Sequence, residues 1–300
     1  MEKIFGILAY PAWHSLSPVM HLEGFKELEL PYGFDTFDVK PEELRDFMGA
    51  LKRRESVELS SREFDLSKVE GFSVSMPHKE MIIPLLDGLD DAGHAVGAVS
   101  CVYMQDGKFI GTNLDYMGVK GSLQASDYAS KQGLSGKKVI VIGAGGAAKA
   151  AVYGLLQLNM IPVLFNRTVD KALEIADQFS MQSVKLALQN KERSNNIKID
   201  SYSIKELENG FEDVEIIINC TSLGLEGDEK IVPDSVFSHI KLSLDAVYSH
   251  EPTIFQAQSV AAGAENLTGL EWLLHQGYEA FKIWTGKDAP QDAMRAAVSN

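Results

Sequence analysis

Apolar residues change their spacing several times along the chain, and each change marks an element. Ile4 to Tyr10 is a short apolar run that predicts a first strand. Ser17-Pro18 opens a helix to about Leu28, with Ser17 as N-cap and Pro18 at the first helical position. Tyr32 to Val39 alternates toward a second strand, and Pro41 followed by two glutamates starts a helix to about Arg53. Arg54 to Lys68 is charged and serine-rich, which predicts a long loop or a short excursion. Gly71 to Ser75 reads as a strand, and Pro77 begins another helix. Val99 to Met104 and Lys108 to Gly111 flank Gln105-Asp106-Gly107, a hairpin signal.

The middle of the chain repeats the alternation in βαβ form. Val139–Ile142, Pro162–Phe165, Glu215–Asn219 and Leu242–Val247 are strand candidates with helical stretches between them. Ser180 to Asp200 carries no clear period, and its polar stretch Gln189 to Asn196 predicts a surface insertion. From Gly269 the period becomes helical again, with Leu270, Leu273, Leu274, Gly277 and Phe281 on one face; Pro290 begins a last helix. The fold class is therefore α/β, with sheets covered by helices.

Bulk properties narrow this without changing it. A chain of 300 residues, 45% apolar and 23% charged, suits two modest globular domains. No apolar run reaches the length of a membrane span, and the start is too short and too acidic for a signal peptide. Cys101 and Cys220 do not suggest a disulfide framework, so a cytoplasmic, reducing location is expected. Net charge of −14 argues against nucleic-acid or anionic-membrane partners. An anionic small ligand would need a local pocket of donors. No metal site is expected, and either a monomer or a homodimer is compatible.

The strongest chemical signal follows Val139–Ile142. Gly143-Ala144-Gly145-Gly146-Ala147-Ala148 is a glycine-rich turn between a strand and a helix, suited to hold a pyrophosphate on backbone N–H groups. The third glycine position of the dinucleotide pattern carries Ala148. At the end of the next strand stand Asn166, Arg167 and Thr168, with Lys171 one turn on. No carboxylate there repels a 2′-phosphate, and Arg167 can pair with it, so NADP is favoured over NAD. Asn219-Cys220-Thr221-Ser222-Leu223 closes a later strand, where Thr221, Ser222 and Leu223 would face the nicotinamide half.

Three further motifs lie in the first half. Ser15 and Ser17 stand at a helix start, which suits a carboxylate clamp, although an N-cap explains Ser17 equally well. Lys79 stands in what the sequence predicts as the first turn of a helix. There the dipole disfavours the ammonium, as a proton-transfer lysine requires; a surface lysine is the plain alternative. Asp115 precedes a helix and reads either as a cap or as a polar group in the same cleft.

Taken in order, His14-Ser-x-Ser-Pro, Pro77-His-Lys, Gly97-Ala-Val, Asn113-x-Asp115, Gly143-Ala-Gly-Gly, Asn166-Arg-Thr, Asn219-x-Thr-Ser-x-Gly and Gly269-Leu…Gln276…Trp284-Thr-Gly resemble the shikimate dehydrogenase family. The motifs span nearly the whole chain. The resemblance implies NADPH-dependent, reversible reduction of 3-dehydroshikimate to shikimate, in aromatic amino-acid biosynthesis. It also implies a discontinuous catalytic domain, 1–116 completed by 268–300, around a Rossmann-type NADP domain over 117–267. By position, Lys79 and Asp115 are the catalytic pair. Ser15, Ser17, Ser75, Ser100, Tyr248 and Gln276 would hold substrate, and Gly269 joins the cofactor residues.

The chain departs from the family pattern at several places. Ser73-Val-Ser75 replaces a common Asn-Val-Thr, and Ser100-Cys101 replaces Asn-Thr or Asn-Cys, so that a shorter side chain stands where an amide contacts substrate hydroxyls. Ala9-Tyr10, Leu225 and His250 also differ from common family residues. These changes leave room for a quinate or aminoshikimate-type dehydrogenase, or for a dehydrogenase-like sensor without turnover.

Overall fold

In this computed structural model the described residues are 2–189, 199–208, 211, 213–223, 230, 232–249 and 251–299, with the backbone alone described for 181–189. Most of the polar stretch after Gln189, together with Gly224, Leu225 and His250, lies outside them. The chain divides into two compact units, Met1–Leu114 with Gln276–Asn300, and Asp115–His275.

The first unit contains β1 (Lys3–Ala9), α1 (Ser17–Glu27), β2 (Tyr32–Asp38), α2 (Leu44–Arg53), β3 (Ser56–Glu58), β4 (Glu63–Asp65), β5 (Val69–Val74), α3 (His78–Met81), β6 (Gly88–Leu89), α4 (Asp91–Val96), β7 (Cys101–Gln105) and β8 (Lys108–Thr112). Its main sheet has the order β2-β1-β5-β7-β8-β6. β1 runs parallel to both β2 and β5, and the β5-β7-β8 stretch is antiparallel. The β7–β8 turn has positive φ at Asp106 (51°) and Gly107 (75°), the geometry an Asp-Gly pair favours.

Where the sequence predicted a loop or excursion over Arg54–Lys68, a small antiparallel hairpin forms from β3 and β4, pairing Val57 with Phe64. Phe64 and Leu66 are buried, and Phe64 joins Phe37, Phe47 and Phe72 in an aromatic cluster. Two apolar residues sunk in the core fix this segment despite its charged composition.

The second unit contains α5 (Asp115–Ala125), α6 (Asp127–Gln132), β9 (Lys138–Ile142), α7 (Gly146–Gln157), β10 (Ile161–Asn166), α8 (Val169–Gln189), β11 (Asp200–Ser203), β12 (Ile216–Asn219), α9 (Asp234–Phe237), β13 (Leu242–Asp245), α10 (Ile254–Ala261) and β14 (Glu265–Leu267). The unit boundary falls within α11 (Gly269–Thr285), and α12 (Gln291–Val298) completes the first unit. All six strands are parallel, in the order β11-β10-β9-β12-β13-β14. Val139 and Val141 feed one core while Ile140 and Ile142 feed the other, so β9 is apolar on both faces. That double burial is why the run reads as continuously hydrophobic.

Candidate active site

In the doubly wound sheet the strand order reverses between β9 and β12, and ligands bind beyond the C-terminal strand ends at such a point. Gly143 leaves β9 with φ of +110°, and its N–H donates to Phe165 O at 2.8 Å. A Cβ there would lie 3.2 Å from the Cys220 carbonyl, so the turn after β9 runs close against the loop after β12. Gly145 is the N-cap of α7, with no side-chain cap and no acid in the first turn. A Cβ on Gly145 would meet nothing within 4 Å. Open space over an uncapped helix start, beside Gly146 and Ala147, fits a pyrophosphate.

Asn166 ends β10 and donates through Nδ2 to Thr168 O at 2.8 Å, which leaves Arg167, Thr168 and Lys171 exposed together. One carboxylate lies in that stretch, the exposed Asp170 in the first turn of α8. After β12, Asn219 Oδ1 accepts from both Thr221 N (3.0 Å) and Thr221 Oγ1 (2.8 Å), and Leu223 N donates to Thr221 Oγ1. Ser222 and Leu223 are exposed. Cys220 is buried, and burial pushes its thiol up, so it stays uncharged.

Asp245, which the sequence reading passed over, organises this end of the unit. It is fully buried; Oδ1 accepts from Asn219 Nδ2 (2.8 Å) and Val247 N (3.1 Å), and Oδ2 from Thr253 Oγ1 (2.6 Å) and Gln256 Nε2 (3.1 Å). Burial raises its carboxyl above the usual range, and these four donors oppose the rise. The adjoining loop carries Tyr248, half-buried, its phenol raised by burial. Gly269 packs against that loop: a Cβ would sit 2.6 Å from Ala246 O and from the Val247 carbonyl carbon.

The other candidates, Asp115 apart, belong to the first unit. Ser75 N donates to Leu8 O (2.9 Å) and Tyr10 N to Met76 O (3.1 Å), which joins the ends of β1 and β5. The turn bearing Ser15 and Ser17 therefore starts beside the loop bearing Ser75 and Lys79. Ser17 is not the N-cap expected from sequence. Leu16 takes that position without a side-chain bond, and Ser15 Oγ accepts from Ser17 N at 3.2 Å. The serine nearer the strand thus supplies the capping oxygen, while Ser17, 1% exposed, lies inside the first turn.

Lys79 is half-buried, and its carbonyl accepts from Val99 N at 2.8 Å, which brings it next to Ser100. Its helix, α3, is a single turn, so the dipole invoked from the sequence is short of peptide units. Ser100 is 2% exposed, and its Oγ accepts from Leu114 N at 2.7 Å. That bond uses one lone pair of the oxygen, and the hydroxyl keeps its proton and a second lone pair. Ser73 Oγ and Asn113 Oδ1 are buried with no hydrogen-bond partner among the described residues. Gln276 is buried on α11 within the same unit. Asp115 opens α5 as the first residue of the second unit and is 7% exposed.

The structure therefore gathers Ser15, Ser17, Ser75, Lys79 and Ser100 at one sheet end of the first unit. It gathers the glycine turn, Asn166–Lys171 and Thr221–Leu223 at one sheet end of the second.

Three family models match the chain in order. They are a shikimate dehydrogenase substrate binding domain over residues 7–102, a shikimate / quinate 5-dehydrogenase over 126–226, and a shikimate 5′-dehydrogenase C-terminal domain over 269–298. A shikimate dehydrogenase (NADP(+)) of Methanococcus maripaludis is 31% identical over 302 residues, which covers 99% of this chain and 97% of that protein. Among solved structures, a shikimate dehydrogenase in complex with NADP+ is similar at a TM-score of 0.80 and 30% identity, over 98% of this chain and 94% of that one. A shikimate 5-dehydrogenase from Thermus thermophilus, in complex with NADP(H) and shikimate, is similar at a TM-score of 0.80 and 26% identity, over 98% of each chain.

Proposed function

The chain belongs to the shikimate dehydrogenase family, and from that premise we propose that it reduces 3-dehydroshikimate to shikimate reversibly, with Lys79 and Asp115 as the catalytic pair. It is an NADP-dependent oxidoreductase. The observation that carries the residue assignment is the convergence of Ser15, Ser17, Ser75 and Lys79 at the joined ends of β1 and β5, inside the matched substrate binding domain.

NADPH supplies the hydride when bound. Around it, the N–H groups at the start of α7 would hold the pyrophosphate, and Arg167 would pair with the 2′-phosphate. Ser15 and Ser17 would donate their hydroxyl protons to the substrate carboxylate. Reduction of the ketone builds negative charge on its oxygen, and the Lys79 ammonium donates the proton that quenches it. In the reverse direction the neutral amine takes that proton back. Asp115 hydrogen-bonds the substrate hydroxyl and balances the lysine's charge. Ser75, Ser100, Tyr248 and Gln276 would contact the remaining polar edge of the ring and fix its orientation.

Lys79→Ala tests the assignment. We expect kcat to fall by about 10²–10⁴ while NADP affinity stays within about twofold. Near-normal turnover would remove Lys79 from the chemistry.

A related hydroxy acid such as quinate is the second reading. It is favoured by Ser100, where a short hydroxyl bonded to Leu114 N stands at the position of the family's longer amide. Faster turnover of quinate than of shikimate by the unmodified enzyme would establish it.

A further inference from the structure

We infer that Asp38 and Val39, at the end of β2, are the positioning hub of the substrate half, and that the β3–β4 hairpin is the strap holding the hub in place. The inference rests on the roles proposed above for Ser15, Ser17 and Lys79.

Two bonds leave the hub toward those residues. Ala12 N donates to Asp38 Oδ1 at 2.8 Å, and Ser15 N donates in turn to Ala12 O at 3.2 Å. The carboxylate of Asp38 thus seats the turn that presents both serines. One residue on, the buried Val39 carbonyl accepts from His78 Nε2 at 2.7 Å. His78 is fully buried, and its other ring nitrogen has no partner among the described residues, so the proton resides on Nε2 and the ring is a one-bond anchor. Lys79 is the next residue. One dipeptide therefore fixes the backbone beside the clamp and the backbone beside the lysine.

The strap is built from the hairpin tip. Ser61 Oγ donates to Asp38 O at 2.9 Å, and Arg62 Nη2 donates to Thr36 O at 2.9 Å. β2 is the edge strand of its sheet, and these two side chains occupy carbonyls that the sheet leaves unpaired. Ser60 N and its hydroxyl both donate to Glu43 Oε1, which moors the tip to the turn before α2. Without the strap the strand end would fray into water, and the carboxylate would swing with it.

The test compares Asp38→Ala, Asp38→Asn and Ser61→Ala in the full chain, with shikimate and NADP as probes. A backbone N–H on a carboxylate is a charge-assisted bond, so Asp38→Ala should raise the KM for shikimate by about tenfold or more and leave the KM for NADP within about twofold. Asp38→Asn keeps an acceptor oxygen for Ala12 N and should restore the KM to within about threefold of wild type. Ser61→Ala should raise it by about two- to fivefold. His78→Phe removes the N–H toward Val39 and should lower kcat about tenfold, with His78→Gln recovering most of the loss.

Amide hydrogen exchange at Ala12, Ser15 and Ser17 reads the positioning without any substrate. It should accelerate in Asp38→Ala and return in Asp38→Asn. Unchanged exchange in Asp38→Ala, or equal rises in KM for shikimate and NADP, would overturn the inference. If the wild-type enzyme fails to oxidise shikimate while the exchange pattern holds, the functional reading falls and the positioning hub stands.

Discussion

His21 shows how one side chain can set an acid limit. It is fully buried, stacked on Phe34 with ring centres 5.0 Å apart, and neither ring nitrogen has a partner among the described residues. Burial lowers its pKa to about 3. The unfolded chain binds this proton at about 6.5, so below that pH the unfolded state gains a proton that the folded state refuses. Stability is whole above pH 6.5 and falls with pH from there toward about 3, by up to about 1.4 kcal/mol per pH unit. His78 acts in the same sense, lowered by burial, with its bond to Val39 in partial opposition. Replacing His21 with Phe should flatten the decline, as read from denaturant midpoints at a series of pH values. An unchanged slope would show that the histidine is protonated in the folded state. Arg167 carries the second prediction at this scale. Arg167→Ala should weaken NADP by about ten- to hundredfold and NAD by much less, as measured by calorimetric binding of each. Equal losses would make Arg167 a stacking or structural residue.

At the scale of elements, the β3–β4 hairpin separates what the sequence displays from what it conceals. Phe64→Ala should cost about 3–5 kcal/mol, because the ring fills the cluster with Phe37, Phe47 and Phe72. A solvent loop would lose almost nothing, and the thermal midpoint decides between them. The hairpin was not legible because its turn, Ser60-Ser61, has neither glycine nor positive φ. Its apolar residues are also outnumbered by charges. β11 escaped for the same reason, since Asp200–Ser203 is a polar strand. By contrast, β9 and β12 lie inside a parallel sheet and announce themselves as apolar runs. The site divides in the same way. The glycine turn and Asn166-Arg167-Thr168 are local in sequence, which is why a cofactor site can be proposed from them. Asp38 with Ala12 and Asp245 with Asn219 each join residues 26 positions apart, and no spacing rule reaches across that gap.

On the scale of the whole molecule, a chain of net charge −14 must bind an anionic cofactor and an anionic acid. Its overall field opposes both, so on the proposed reading binding would depend on fixed local donors: the uncapped start of α7, Arg167, and the hydroxyls of Ser15 and Ser17. None of these requires the protein to be basic. The central claim is that these donors serve one reaction, and it is tested most directly by initial rates of NADPH formation in the unmodified enzyme. Shikimate with NADP should give a kcat/KM at least about tenfold above quinate with NADP and above shikimate with NAD. Turnover of quinate without turnover of shikimate, or a preference for NAD, would contradict the account.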